Sequence, residues 1–135
     1  MIPLCAANGI SQIVFSPLGQ GILTGKYKPG QPAPEGSRAA DPRQNMFMDR
    51  AKDEVLLERV QELAALAAGL GVTVGQLSLA WILREPNVAS AIVGATSPEQ
   101  VIENAGGSGI DLDAATIARM EEIVGDRALY EPAMS

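Results

Sequence analysis

Two stretches of this sequence hold residues whose types and spacing suit ligand chemistry. The first is Gly19-Gln20-Gly21-Ile22-Leu23-Thr24-Gly25-Lys26-Tyr27, a glycine-rich run that reaches a lysine, as in loops that cradle phosphates with backbone N–H groups. It fits neither common phosphate loop. A Walker loop needs a glycine separated by four residues from its Gly-Lys pair, and that position is Gln20, while Tyr27 stands where Ser or Thr would hold magnesium. A Gly-x-Gly-x-x-Gly dinucleotide fingerprint needs its third glycine at position 24, one residue before Gly25. What remains is a flexible backbone with a nearby positive charge.

The second stretch is Gly94-Ala95-Thr96-Ser97-Pro98-Glu99-Gln100-Val101-Ile102-Glu103-Asn104. Ser97 suits an N-cap, Pro98 the first helical position, and Gln100 the third position of a capping box. Such a helix start offers free N–H groups and the positive end of a dipole, a generic anion site. Capping alone explains Ser97 and Gln100, and Glu99 and Glu103 read as a solvated face.

The elements that must position these stretches follow from periodicity. Gln12-Ile13-Val14-Phe15 is a short β-rich run after Asn8-Gly9 and before Ser16-Pro17, read as a buried strand leaving a helix end. From there to about Arg50 runs a loop holding Pro17, Pro29, Pro32, Pro34 and Pro42 with no sustained apolar period. A loop of that length in a compact domain is usually functional or disordered. A helix follows, with Leu56, Val60, Leu63, Ala67 and Leu70 inward and Glu58, Arg59 and Glu62 outward, stopped by Gly71. Thr73 and Gln76 form a capping box for a second helix, where Leu77, Ala80 and Trp81 face the core until Glu85-Pro86. A nearly all-apolar strand over 89–93 reads as buried on both faces, as parallel strands are. After the Ser97-capped helix and Gly106-Gly107-Ser108-Gly109, Asp113 caps a last helix through Ile117, Met120 and Val124, closed by Gly125.

Strand, long loop, helices, strand, helix, helix is the order of βα units on a parallel sheet. Two parallel strands cannot bury both faces of a sheet or satisfy its outer edges, whereas a βα barrel has eight strands and typically about 250 residues. The 135-residue chain is therefore expected to need further strands, from a missing half-barrel or by self-association.

Composition narrows the class. Sixteen acidic against ten basic residues give a net charge of −6, with the basic ones scattered, which disfavours nucleic acid and anionic membrane as partners. No histidine is present, so an imidazole base or a His-bearing metal site is excluded for this chain, and no metal ligands are assigned. Cys5 is the single cysteine, the start shows no secretory signal, and no apolar run spans a bilayer, so a cytoplasmic location is expected.

The run Phe15-Ser16-Pro17-Leu18-Gly19-Gln20-Gly21-Ile22-Leu23-Thr24-Gly25-Lys26-Tyr27 closely resembles the seventh-strand loop of aldo-keto reductases, in the branch containing potassium-channel β subunits. Gly94 to Asn104 resembles the eighth-strand segment holding the adenosine end of NADPH there, and Leu77-Ser78-Leu79-Ala80-Trp81-Ile82-Leu83-Arg84 is similar to the helix between them. The resemblance implies an α/β fold class: residues 1–135 as a C-terminal fragment of a TIM (β/α)8 barrel, its seventh and eighth βα units plus a C-terminal helix. It implies NADP as cofactor and a small carbonyl substrate for the full-length form.

Carried over by position, Ser16, Pro17, Leu18, Gly19, Gln20 and Gly21 would line the nicotinamide ribose and pyrophosphate, with Lys26 adding charge and Arg38 approaching the adenosine phosphate. Gly94, Thr96, Gln100, Glu103 and Asn104 would hold the phosphate and adenine. Many reductases of the family have a Lys-Ser pair and an Arg where this chain has Gly94, Ala95 and Gln100, so recognition of the 2′-phosphate leans on Arg38. Phe15 stands where channel subunits have tryptophan. The family's catalytic Asp, Tyr, Lys and His belong to the first half of the barrel, so this chain is expected to supply cofactor-binding residues, no catalytic ones, and no activity alone. Two other expectations stand beside it: a non-catalytic nucleotide-binding interaction subunit, and a truncated product without activity.

Overall fold

The fold is built on two strands and the helices that flank them, in a computed structural model that describes residues 2–43 and 48–128. In chain order the elements are α1 (Ile2–Ala7), β1 (Gln12–Phe15), α2 (Glu54–Gly69), α3 (Val74–Leu83), β2 (Val88–Ile92), α4 (Pro98–Ala105) and α5 (Ala114–Val124). The long connection between β1 and α2 is not structureless, as the proline and glycine content suggested. It contains short 3₁₀ turns over Gly19–Thr24 and Asp49–Lys52, which need only three residues per turn and so escape a search for a 3.6-residue period.

β1 and β2 are parallel neighbours, with Ile13 opposite Ser90, Val14 opposite Ala91 and Phe15 opposite Ile92, and a register irregularity between Gln12 and Ile13. The alternation of strand side chains places Ile13, Phe15, Ser90 and Ile92 on one face. That face is open: Phe15 is 82% exposed, Ile13 67% and Ile92 59%. The expectation that the 89–93 strand is buried on both faces is corrected here, since helices cover one face only. Each large apolar side chain left in water forgoes roughly 1.5–3 kcal/mol of burial, so the sheet is built to receive more structure on this side.

The covered side holds two apolar clusters. Leu63 and Ala67 of α2, Val74 and Leu77 of α3, and Met120 and Ile123 of α5 form one. Leu57 and Val60 of α2 form the other with Ile22, Tyr27 and Met48 of the long connection. Leu57 takes the buried place expected of Leu56, and Leu70, the C-cap residue, is exposed. The helix ends a residue before it, so Leu70 has left the inward stripe before Gly71 turns the chain in the left-handed region at φ 74°.

The caps follow the sequence closely. Thr73 accepts from the Gln76 amide while the Gln76 side chain accepts from the Thr73 amide, at 3.2 and 3.1 Å. Asp113 accepts from the Thr116 amide at 2.7 Å, and this bond holds its carboxyl below the usual carboxylate range. Hydrogen bonding from the Ser97 hydroxyl, then from its own amide, does the same for Glu99.

Both groups are therefore more readily ionised folded than unfolded. Their contribution is fully present above the ordinary carboxylate pKa and is lost as the pH falls through the lowered folded values. The urea midpoint is accordingly expected to drop modestly below about pH 4, where these carboxylates protonate. Asp113→Asn should make that drop shallower; an unchanged acid limb in urea titrations would place the sensitivity elsewhere.

Candidate functional site

Because β1 and β2 are parallel and Phe15 lies opposite Ile92, the segments after both strands leave from the same edge of the sheet. This is the carboxyl-terminal edge, where α/β folds bind ligands. The two chemically suggestive stretches, about 75 residues apart in sequence, both start from that end through this register.

The turn after β1 is held in an uncommon backbone state. Ser16 and Gln20, neither a glycine, sit at φ 51° and 59°, and such left-handed residues cost on the order of 1–3 kcal/mol each and cluster at functional sites. The Gln20 amide donates to the Ser16 hydroxyl at 3.0 Å, tying the two together. The Gly19 amide turns back to the Ser16 carbonyl, and the Gly21 and Leu23 amides to the Leu18 carbonyl. Pro17 is buried beneath the turn, and Leu18, Gly19, Gln20 and Gly21 are half-buried.

Gly21 has φ 94°, and a Cβ there would lie 3.3 Å from both Cε and Nζ of Lys26. The absence of a side chain thus admits the lysine over the turn. The Lys26 ammonium also lies 5.3 Å from the Tyr27 ring centroid, within cation–π range. Gly25, at φ 73°, lets the chain pass the first turn of α3, where a Cβ would meet Val74 at 3.1 Å.

Tyr27 is 2% exposed, and its hydroxyl accepts from the Ala39 amide at 3.4 Å. That contact anchors the turn Ser37-Arg38-Ala39, in which Ser37 is buried and Arg38 exposed. The Ser37 hydroxyl is buried with no hydrogen-bond partner among the described residues.

At the second stretch Ser97 caps α4 by accepting from the Gln100 amide at 3.4 Å. The capping box expected of Gln100 is modified: its side-chain carbonyl reaches past Ser97 and accepts from the Thr96 amide at 2.8 Å and the Thr96 hydroxyl at 3.2 Å. This leaves the Gln100 NH₂ facing away from the cap. Gln100, Glu103 and Asn104, at i, i+3 and i+4, share one helix face. Gln100 and Glu103 are exposed and Asn104 half-buried, while Gly94 and Thr96 are exposed on the approach.

The structure thus gathers Ser16, Pro17, Leu18, Gly19, Gln20, Gly21 and Lys26 into one group and Thr96, Gln100, Glu103 and Asn104 into another, with Arg38 linked to the first through Tyr27. Two positioning features escaped the sequence. Tyr27 acts as a buried post for the Arg38 turn, and Gln61 of α2 donates to the carbonyls of Gly25 and Tyr27 at 3.4 and 3.3 Å. A glutamine on a helix carries no sequence signal for such a contact, which exists only once loop and helix are packed. Trp81, read as core, is half-buried: the Arg84 guanidinium lies 3.9 Å from its ring centroid. The indole borders an apolar hollow of about 600 Å³ beneath the β1 turn, shared with Val60, Leu63 and Met120.

Comparison with known proteins gives the family of the chain. The family model described as "Aldo/keto reductase family" matches residues 1–125. The chain belongs to the aldo/keto reductase family. Among curated relatives it is 41% identical over 103 residues to a protein of Arabidopsis thaliana named "Probable voltage-gated potassium channel subunit beta", with 76% of this chain and 31% of that one covered. It is 36% identical over 127 residues to the NADH-specific methylglyoxal reductase of Escherichia coli (strain K12), with 91% and 36% covered. The chain spans about a third of the length of these relatives. The glycerol dehydrogenase AKR11B4 of Gluconobacter oxydans superposes with a TM-score of 0.74 at 24% identity, over 98% of this chain and 39% of that one. This likeness shows the fold, that of part of an aldo/keto reductase α/β barrel. Among the described residues no single helix is long and apolar enough to cross a membrane.

Proposed function

We infer that the chain supplies the cofactor-binding edge of an NADPH-dependent aldo/keto reductase barrel that reduces aldehydes or ketones to alcohols, corresponding to its seventh and eighth βα units. The observation that carries this reading is the junction at one sheet edge of a left-handed turn roofed by Lys26 and a helix start presenting Gln100, Glu103 and Asn104. Bound there, the dinucleotide would supply the hydride, and the protein its orientation.

The roles of the chain's own residues follow from their chemistry. The Lys26 ammonium suits the pyrophosphate, and Gly21 permits close backbone approach to it. Phe15, on the open face at the strand end, offers an apolar surface to the nicotinamide. Thr96 is held in place by Gln100, whose NH₂ remains a donor for the adenine edge, with the Glu103 carboxylate as acceptor and Asn104 able to do either. Arg38 provides a fork suited to the 2′-phosphate. The open sheet face is completed by the remaining barrel strands or by another copy of the chain.

A second reading is favoured by the relatives named as channel β subunits: a nucleotide-binding subunit that works through its partners rather than by turnover. Both readings require the dinucleotide, which gives a direct test. Titration of the ¹⁵N-labelled chain with 2′,5′-ADP and with NADPH should shift the amides of Thr96 to Asn104 with both ligands, and those of Ser16 to Lys26 with NADPH alone. Neither ligand moving either set would sink the assignment.

A further inference from the structure

Lys26 and the Arg38 turn are both fixed from one side chain outside the ligand edge. Gln61 of α2 donates from Nε2 to the carbonyl of Gly25 and to that of Tyr27, the two residues flanking Lys26. Its Oε1 accepts from the Lys28 ammonium, so every polar atom of the amide is engaged with the loop. Tyr27, pinned at its carbonyl by Gln61, in turn receives the Ala39 amide at its hydroxyl. One half-buried amide therefore sets the backbone on both sides of Lys26 and, through the Tyr27 ring, the turn that carries Arg38.

We propose that Gln61 is a positioning residue for the phosphate-reading cations: it latches the 25–28 segment to α2 and so sets where Lys26 and Arg38 present their charge, without touching the ligand. The proposal rests on the cofactor reading above for its consequence in binding, while the latch itself does not. The chemistry requires glutamine. A carboxylate could still receive Lys28 but would face two carbonyls as an acceptor, and a thioether of similar length and helix propensity would donate to neither carbonyl and be only a weak acceptor for Lys28.

The test uses the 135-residue chain with Gln61→Met and Gln61→Glu, each beside the parent and beside Lys26→Ala/Arg38→Ala. Amide hydrogen exchange is read at Gly25 and Ala39, with Leu77 to Ala80 of α3 as the internal reference. Both variants should speed exchange at Gly25 and Ala39 by about tenfold or more with the α3 amides unchanged, Gln61→Glu the more so. NADPH affinity should fall about five- to tenfold in Gln61→Met and NADH affinity by less, and the same substitution should be silent once Lys26 and Arg38 are gone.

Unchanged exchange at Gly25 and Ala39 overturns the proposal, as does a full-sized loss of NADPH affinity in the Lys26→Ala/Arg38→Ala background. If the parent binds no dinucleotide, the cofactor reading fails by itself. The exchange data then still decide the latch: faster loop exchange with an intact α3 retains it, and no difference removes it.

Discussion

Purified on its own, the 135-residue chain is expected to give no NADPH-dependent reduction of a reactive aldehyde above a matched mock purification, even at high protein concentration. Delivery of hydride to a carbonyl leaves an alkoxide, and the barrier to it falls only where a positioned acid supplies a proton as charge develops. In the family to which the chain is similar that acid is a tyrosine tuned by lysine and histidine. Tyr27 cannot take the role, because its hydroxyl is buried against the Ala39 amide. Tyr130 lies outside the described residues, and the sequence has no histidine.

A missing general acid alone removes on the order of 10²–10⁴ in rate. The open face adds to this, because Phe15, Ile13 and Ile92 stand in water where a reducing site must exclude it. Stoichiometric NADPH consumption with alcohol formation by the isolated chain would overturn the expectation and would require an acid from within these residues.

Arg38→Ala is expected to weaken NADPH binding about 10- to 150-fold, the equivalent of about 1.5–3 kcal/mol for a hydrogen bond to a charged group. NADH, which has no phosphate at the 2′ position, should lose almost nothing. The structure leaves Arg38 exposed, on a turn anchored through the neighbouring Ala39 amide at the Tyr27 hydroxyl. Arg38→Lys should recover part of the affinity, because an ammonium supplies charge but not a planar fork. Calorimetric titration with both dinucleotides decides the matter: equal losses for the two would show that Arg38 does not read that phosphate. The contrast matters for a family in which one relative is named for NADH specificity.

Much of the fold was legible from local chemistry. Thr73, Ser97 and Asp113 announce helix starts because a side-chain oxygen that satisfies an orphan amide acts within three residues, and each is found capping its helix. The strand Gln12–Phe15 and the last helix were readable for the same reason: their periodicity is carried by neighbours in sequence. The family could be read from the run Phe15 to Tyr27, whose order of residues is distinctive even though it matches no general phosphate loop.

What tertiary structure decided is everything that depends on partners distant in the chain. An apolar strand pattern gave the expectation of burial on both faces; the structure leaves Phe15 and Ile92 bare, because burial requires neighbours that pattern alone does not provide. Gln100 was expected to complete a box with Ser97, but its carbonyl accepts from Thr96 instead, a choice between donors one residue apart that only the path of the chain after β2 can settle. Gln61 was silent in sequence because its role lies 34 to 36 residues away. Residue types by themselves determined which groups could meet a phosphate or a purine; the parallel register of Phe15 with Ile92 determined that the two stretches start from one end of the sheet, since hydrogen bonding between strands is a long-range pairing that no local propensity encodes.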